Sequence, residues 1–204
     1  MKYIFPIFLV LFATACNVAQ APKNLPMYGF HDVDAATGDT IYHTIPDFSF
    51  INQDSQEVTN ATFAGKAYIA DFFFTSCPTI CPKVKKQMMR LHKKYLNDDR
   101  LVLLSHTIDP KRDTVGKLHD FANRMGVSAP KWQFVTGDKD KIYAIADDYM
   151  SIAKEDENAP GGFDHSGWLL LIDKDRHIRA YCDGTKEEAV TKFMEDIDWL
   201  LAHQ

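Results

Sequence analysis

The side chains of this chain that are best suited to metal or redox chemistry are two cysteines four positions apart, Cys77 and Cys81, within the segment CPTICP. Two thiolates at this spacing can form a disulfide or bind one metal ion. The residues that follow predict an amphipathic helix, and Pro82 is favoured in the first turn of a helix. Both sulfurs are therefore expected at or just before a helix N-terminus, where the dipole and the free amides stabilise thiolates. Taken alone, the motif also fits a buried or structurally bridged pair of cysteines.

A histidine and an aspartate are candidates to act with these cysteines. His165 precedes the apolar segment 168–172 and could reach back from the edge of a sheet to the cysteine loop. Two thiolates and one imidazole form a soft, low-coordinate set of donors that suits Cu(I) and can hold Cu(II), whereas structural zinc usually has a fourth ligand. Asp71 lies within an apolar run, where a carboxylate needs a partner or a raised pKa. From spacing alone, a surface role for His165 and a lysine partner or an exposed edge for Asp71 stay open.

The hydrophobic patterns predict the elements that would position these side chains. Nearly continuous apolar runs at residues 67–74 and 101–108 predict buried strands, and the segment 48–59 predicts a β-hairpin. Helical spacing of apolar residues predicts a helix over 82–95, with lysines, including Lys85, on the rest of its circumference. Further helices are predicted at 114–126, 138–149 and 186–202, and further strands at 132–136, 167–172 and 177–182. This order indicates an α/β fold with a mixed central sheet and flanking helices, and with the cysteines at the carboxyl end of a central strand, where ligand sites collect.

The amino terminus has the pattern of a targeting segment. Lys2 precedes an apolar run at residues 3–15, which matches a signal peptide in length and is shorter than the roughly 20 residues of a transmembrane helix. Small residues directly before Cys16 resemble a bacterial lipoprotein signal, in which that cysteine carries lipid; an ordinary secretory signal is the alternative. The sequence thus predicts a signal peptide at 1–15, a polar tether at 16–46 and one domain at 47–204. We expect the domain to be lipid-anchored on the extracytoplasmic (periplasmic) face of a bacterial membrane.

Composition excludes several other classes of protein. The chain has 204 residues, of which 46% are hydrophobic and 25% charged, and these values are typical of a soluble globular domain. Its formal net charge of −5 lacks the basic character of a nucleic-acid-binding protein, so no nucleic-acid partner is expected. Four cysteines are too few for a disulfide-based scaffold, so each of them calls for its own explanation.

Two resemblances make the prediction more specific. Residues 70–77 resemble the strand that leads to the active site of thioredoxins, in which a buried Asp helps to deprotonate the second thiol; the C-x-x-x-C spacing departs from their C-x-x-C. Three segments, DFFFTSCPTICP (71–82), IDPKRDT (108–114) and FDHSGWLLLID (163–173), resemble the Sco (SenC) family of copper chaperones in the family's order. The match covers most of residues 46–196. It implies a thioredoxin-like fold, here with an extra N-terminal β-hairpin, and one copper ion bound by Cys77, Cys81 and His165.

The same resemblance implies a role and a partner. Members of the family help to assemble the dinuclear copper centre of cytochrome c oxidase subunit II, by transferring copper, by reducing the target cysteines, or by both. A membrane-tethered thiol–disulfide reductase is the competing hypothesis, in which Cys77 attacks, Cys81 resolves and Asp71 accepts a proton. A thiol peroxidase would need an activating arginine, and the nearest in sequence is Arg90, more than two helical turns beyond Cys81.

Several other residues are weaker candidates for supporting roles. His106 ends a predicted strand and is either a neighbour of the copper site or a hydrogen-bonded core histidine. Asp109 and Asp113 resemble turn and helix-cap residues and could also lie just outside the metal ligands. Asp164 could orient His165 or could simply be solvated. Cys182 alternates with apolar residues in the final hairpin and is expected to be a buried, unreactive thiol.

Overall fold

The structure, a computed structural model, describes residues 24–204. The predicted signal peptide and Cys16 lie outside the described residues. Within the described part of the chain, no helix is both long enough and apolar enough to span a bilayer.

The strands and helices follow the predicted order, with additions. The strands are β1 Asp32–Val33, β2 Thr40–Ile41, β3 Ser49–Asn52, β4 Glu57–Thr59, β5 Ala67–Phe73, β6 Leu101–Thr107, β7 Trp132–Thr136, β8 Ala153–Glu155, β9 Phe163–His165, β10 Trp168–Ile172 and β11 Ile178–Asp183. The helices are α1 Cys81–Lys94, α2 Val115–Met125, α3 Lys139–Asp148 and α4 Glu187–His203, and short 3-10 turns lie at Asn60–Phe63 and Pro160–Gly162. The short pairs β1–β2 and β8–β9 were not predicted.

One mixed sheet forms the centre of the domain. Its seven strands are ordered β11-β10-β5-β6-β7-β3-β4. Strands β5, β6 and β7 run parallel, whereas the remaining pairs are antiparallel. Both β5 and β6 are buried along their whole length, as their nearly continuous apolar sequences require. These observations confirm the predicted α/β class and mixed sheet. They also confirm the predicted hairpin, β3–β4, which precedes the other strands of this sheet in the chain.

The start of α2 differs from the prediction. Asp113 was expected to cap this helix, but the N-cap is Thr114, whose side chain accepts a hydrogen bond from the backbone N–H of Lys117. Threonine serves this role well, and the aspartate is thereby free for long-range contacts. The end of the helix matches the prediction, because Gly126 takes the left-handed conformation with a φ of 69°.

The segment 24–46 also differs from the predicted tether. Leu25 and Ile45 are buried in the core, and the backbone N–H of Tyr28 bonds to the carbonyl oxygen of Ile178 at 2.8 Å. The Arg179 guanidinium donates to the carbonyl oxygen of Leu25 at 2.7 Å. The anchoring residues are single apolar side chains separated by polar stretches, so the sequence has no periodicity that would have indicated packing.

Candidate metal centre

The three predicted metal ligands come together at the N-terminus of α1. Cys81 is the first residue of this helix, and Cys77 lies in the loop that joins the helix to β5. The Nε2 atom of His165 lies 3.1 Å from the Sγ atom of Cys81 and 3.8 Å from that of Cys77. The three donor atoms all lie within 4.8 Å of one another, and no other set of three or more His, Cys, Asp or Glu donors in residues 24–204 is grouped in this way.

Asp113 fixes the loop that carries Cys77. One of its carboxylate oxygens accepts from the backbone N–H of Thr75 at 2.9 Å and from the hydroxyl of Thr107 at 2.7 Å. The other accepts from the Thr75 hydroxyl. Asp113 immediately precedes the cap of α2. Its fully buried carboxylate thus ties the loop after β5 to the end of β6 and to the start of this helix. Asp113, predicted as a cap, acts instead as the anchor of the cysteine loop.

The imidazole of His165 is placed by the small β8–β9 sheet and by aromatic packing. His165 is the last residue of β9, and its ring centroid lies 5.3 Å from that of Phe74. Phe74 packs in turn on Phe163, with 5.0 Å between ring centroids. Gly161 closes this cluster, since a Cβ atom there would lie 2.8 Å from the Phe74 ring and 3.3 Å from Pro78.

The two thiols have opposite pKa shifts. Burial raises the pKa of Cys77, but hydrogen bonds from the backbone of Cys81 and Thr79, together with their side chains, outweigh burial and lower it below its usual value. Burial raises the pKa of Cys81 well above its usual value, and the negative charge of the Cys77 thiolate adds to this effect, while a hydrogen bond from the backbone of Phe74 and the charge of Lys85 oppose it. Cys77 is therefore the more readily ionised of the two.

His165 is held in its neutral form. Burial lowers the pKa of its imidazole, and the negative charges of Asp71 and Asp164 oppose this shift without reversing it. Asp164, for which the sequence left open either orienting the ring or being solvated, forms an ion pair with Lys154 at 3.4 Å, in which both side chains are substantially exposed. No hydrogen bond joins it to the imidazole among the described contacts.

Asp71 has a lysine partner, which is one of the alternatives that the sequence left open. The Nζ atom of Lys85 lies 2.8 Å from one Asp71 oxygen and 3.1 Å from the other, and the Ser105 hydroxyl also donates to this carboxylate. Lys85 was expected on the outer face of α1, but its side chain is buried. The signal that could have indicated this contact was the carboxylate within an apolar strand, which needs a partner.

The remaining candidates lie apart from the metal ligands or have structural roles. His106 is fully buried and packs against the rings of Phe48, Phe50, Phe72 and Tyr149, and neither ring nitrogen has a hydrogen-bond partner among the described residues. His106 is thus a core histidine, as one of the two alternatives predicted, but the hydrogen bond expected for it is absent among the described residues. A role as a neighbour of the copper site stays a prediction. Asp109 pairs with the Arg112 guanidinium at 3.2 Å within a turn. Cys182 is buried, as predicted, and burial raises the pKa of its thiol to about 12.

The donors present fit a soft metal ion. Two sulfurs and one neutral imidazole nitrogen converge on one point, and this set suits copper better than magnesium or calcium, which prefer oxygen ligands. The same two sulfurs are close enough to form a disulfide with each other, as thiol–disulfide exchange with a substrate disulfide requires. Arg90, considered for a peroxidase, instead bonds to Gln87 and Thr191.

Comparisons with known proteins agree with this geometry. A model of the SCO1/SenC family matches residues 37–202. The structure of a SCO1/SenC family lipoprotein from Bacillus anthracis has a TM-score of 0.71 and 25% sequence identity, over 78% of this chain and 95% of that one. A structure described as revealing a disulfide switch in BsSco, of the Sco family of cytochrome c oxidase assembly proteins, has a TM-score of 0.69 and 26% identity, over 79% and 95%. The copper-bound structure of ScoI from Arabidopsis thaliana has a TM-score of 0.65 and 25% identity, over 78% and 98%. The similarity to these structures confirms the predicted thioredoxin-like fold.

Proposed function

This chain belongs to the SCO1/SenC family, and from that premise we propose that it is a copper chaperone that binds one copper ion through Cys77, Cys81 and His165. The observation that carries the proposal is the convergence of two thiols and one imidazole within 4.8 Å. A similar structure with copper bound supports the choice of metal. The copper acceptor is the dinuclear copper centre of cytochrome c oxidase subunit II or a similar site, in line with the assembly role stated for a similar protein.

The protonation states of the ligands favour binding of copper as cargo. A metal-bound cysteine is a thiolate, and the lowered pKa of Cys77 makes it the first sulfur to ionise. The lowered pKa of His165 keeps its imidazole neutral at neutral pH, so that one ring nitrogen is free of a proton and can bind copper. Copper then brings Cys81 into its thiolate form against the effect of burial, since a cation next to sulfur outweighs desolvation. Copper reaches the acceptor by exchange of these ligands for those of the acceptor.

The proposed location follows from the amino terminus. Residues 1–15 export the chain, lipid on Cys16 anchors it, and the domain works at the extracytoplasmic face of a bacterial membrane. A similar structure from Bacillus anthracis is that of a lipoprotein, which supports this assignment. Anchoring would keep the copper site close to a membrane-bound acceptor.

A copper titration with a matched histidine variant tests the proposal. Reduced protein is titrated with Cu(I) without oxygen, beside His165→Ala and beside His119→Ala, which removes an exposed histidine paired with Asp54. We expect one copper ion per chain in the parent protein and in His119→Ala. In His165→Ala the copper affinity should fall at least about tenfold, because one ligand is lost. Binding that does not depend on His165 would contradict the proposal.

The opposite pKa shifts of the two cysteines favour a second candidate function, thiol–disulfide reduction. The Cys77 thiolate would attack a substrate disulfide, forming a mixed disulfide and releasing one substrate thiolate. Cys81 would then displace the second substrate sulfur, leaving a Cys77–Cys81 disulfide and a reduced substrate. Asp71 is less available as the proton acceptor than predicted, because Lys85 and Ser105 occupy its oxygens. Copper binding that is weak and indifferent to His165 would make this reductase the leading function.

A further inference from the structure

A buried ion pair lies behind the proposed copper site. Lys85 follows Cys81 by four residues on α1, which places it about one helical turn further along the same side of the helix. Its Nζ atom lies 2.8 Å from an Asp71 oxygen, and the two side chains are 8% and 0% exposed. Asp71 belongs to β5, so the pair links the helix that begins with Cys81 to the strand that leads to Cys77.

The position of the ammonium group is fixed on several sides. Besides Asp71, it donates to the Ser105 hydroxyl at 2.8 Å, and it lies 3.9 Å from the centroid of the Phe73 ring. Ser105 is held by a further hydrogen bond from the indole N–H of Trp132 at 2.9 Å. The lysine therefore cannot turn to solvent without breaking a buried network.

The ammonium is the charge of the pair that shares a helix with a sulfur ligand. Residues four apart on a helix have Cβ atoms about 5–6 Å apart, so Lys85 borders Cys81. Its charge lowers the pKa of the Cys81 thiol, in opposition to burial. Burial lowers the pKa of the His165 imidazole; the Asp71 carboxylate opposes this shift, and the Lys85 ammonium adds to it to a smaller extent. Stability alone gives no reason for such a pair, because apolar replacements of buried ion pairs are often neutral or stabilising.

We propose that Lys85 is a positioning residue that acts through Cys81 to favour Cu(I) over Cu(II), with Asp71 as its counter-charge. The inference rests on the proposed copper-binding function. Two thiolates and a neutral imidazole carry two negative charges, so the Cu(II) site is neutral and the Cu(I) site has one negative charge. A buried cation behind the sulfur stabilises the more negative state, and a buried carboxylate does the opposite.

The test compares the midpoint potential of the bound copper in the parent protein with that in the double variant Asp71→Asn/Lys85→Met. Neither protein has an unpaired buried charge, so their difference reports the effect of the ion pair on the copper site. A mediated electrode supplies the single electron that converts Cu(II) to Cu(I). We expect the double variant to have a ratio of Cu(I) to Cu(II) affinity at least about tenfold lower, equal to a potential about 59 mV lower for a one-electron couple. Circular dichroism of the double variant checks that it is folded.

A control variant makes the outcomes distinct. Lys86→Met removes an exposed lysine next to Lys85 on the same helix and should leave the potential of the parent protein unchanged. Equal potentials in the parent protein and the double variant, with copper still bound through His165, would overturn the inference and leave the proposed function intact. Failure of the parent protein to bind copper would overturn both.

Discussion

The two cysteines of the site have thiol pKa values shifted in opposite directions because their surroundings differ. Cys77 lies in a loop where backbone amides approach its sulfur, and Cys81 starts a helix but is more deeply enclosed. His165, which the strand β9 brings in from far along the chain, completes the group while remaining neutral. At the scale of single residues, the site therefore has one thiol that ionises more readily than usual, one thiol that needs a cation to ionise, and one nitrogen donor.

His106 is the residue whose surroundings predict an acid-dependent loss of stability. Burial among aromatic rings lowers the pKa of its imidazole to about 3 in the folded protein, against about 6.5 in the unfolded chain. Below about pH 6.5 the unfolded state thus binds a proton that the folded state does not, and stability falls as the pH drops toward 3. This residue alone contributes up to about 1.4 kcal/mol per pH unit across that window.

Urea unfolding between pH 7 and pH 5 checks this prediction. His106→Phe keeps an aromatic ring at the position but cannot take up a proton. The stability of the variant relative to the parent protein should rise as the pH falls from 6.5, because only the parent has this penalty. Parallel pH profiles for the two proteins would show that His106 is protonated equally in both states.

At the scale of elements, the site depends on the junctions between strands and helices rather than on any one helix. The loop after β5 is tied by Asp113 to the end of β6, and β9 is pressed against that loop through Phe74 and Phe163. The turn at Pro160–Gly162 leads into β9, and its Gly161 packs directly against Phe74. The distance between His165 and the cysteines is thus set by packing across this turn.

Two neighbouring glycines allow that dependence to be measured. Gly161 and Gly162 have φ angles of +83° and +89°, so alanine at either position incurs similar backbone strain, about 1–2 kcal/mol. A Cβ atom at Gly161 would also clash with the Phe74 ring, whereas a Cβ atom at Gly162 would have no neighbouring side chain or backbone within 4 Å. We expect Gly161→Ala to be about 1–3 kcal/mol less stable than Gly162→Ala, the usual cost of overpacking, and to bind copper several-fold more weakly.

Thermal unfolding and a Cu(I) competition titration of the two alanine variants provide the readouts. A copper affinity equal to that of the parent protein in both variants would mean that the contact between Gly161 and Phe74 does not position His165. Loss of affinity in Gly162→Ala to the same extent would assign the effect to the backbone of the turn.

At the scale of the whole molecule, the sequence predicts the fold better than the supporting contacts of the site. The buried strands β5 and β6 are apolar runs, and α1 and α4 have clear helical spacing, so local patterns suffice for them. The strands β8 and β9 have three residues each and mixed polarity, and no local pattern predicts elements so short. The contact of Leu25 and Ile45 with the core was missed for the same reason.

The site residues divide in a similar way. Cys77 and Cys81 follow from their spacing, but His165 is 84 residues beyond Cys81 and was assigned through a family resemblance. The links from Asp71 to Lys85 and from Asp113 to Thr75 join residues on different elements, and only the packed structure decides such partners. Lys85 on a helical wheel looks like any exposed lysine, because its counter-charge lies on another strand.

The most direct test of the three copper ligands is X-ray absorption spectroscopy at the copper edge of the protein loaded with one Cu(I) per chain. We expect two sulfur neighbours and one imidazole nitrogen, with the nitrogen signal absent in His165→Ala and both sulfurs retained in Cys182→Ser. Loss of a sulfur in Cys182→Ser, or no imidazole in the parent protein, would contradict the assignment of Cys77, Cys81 and His165 as the copper ligands.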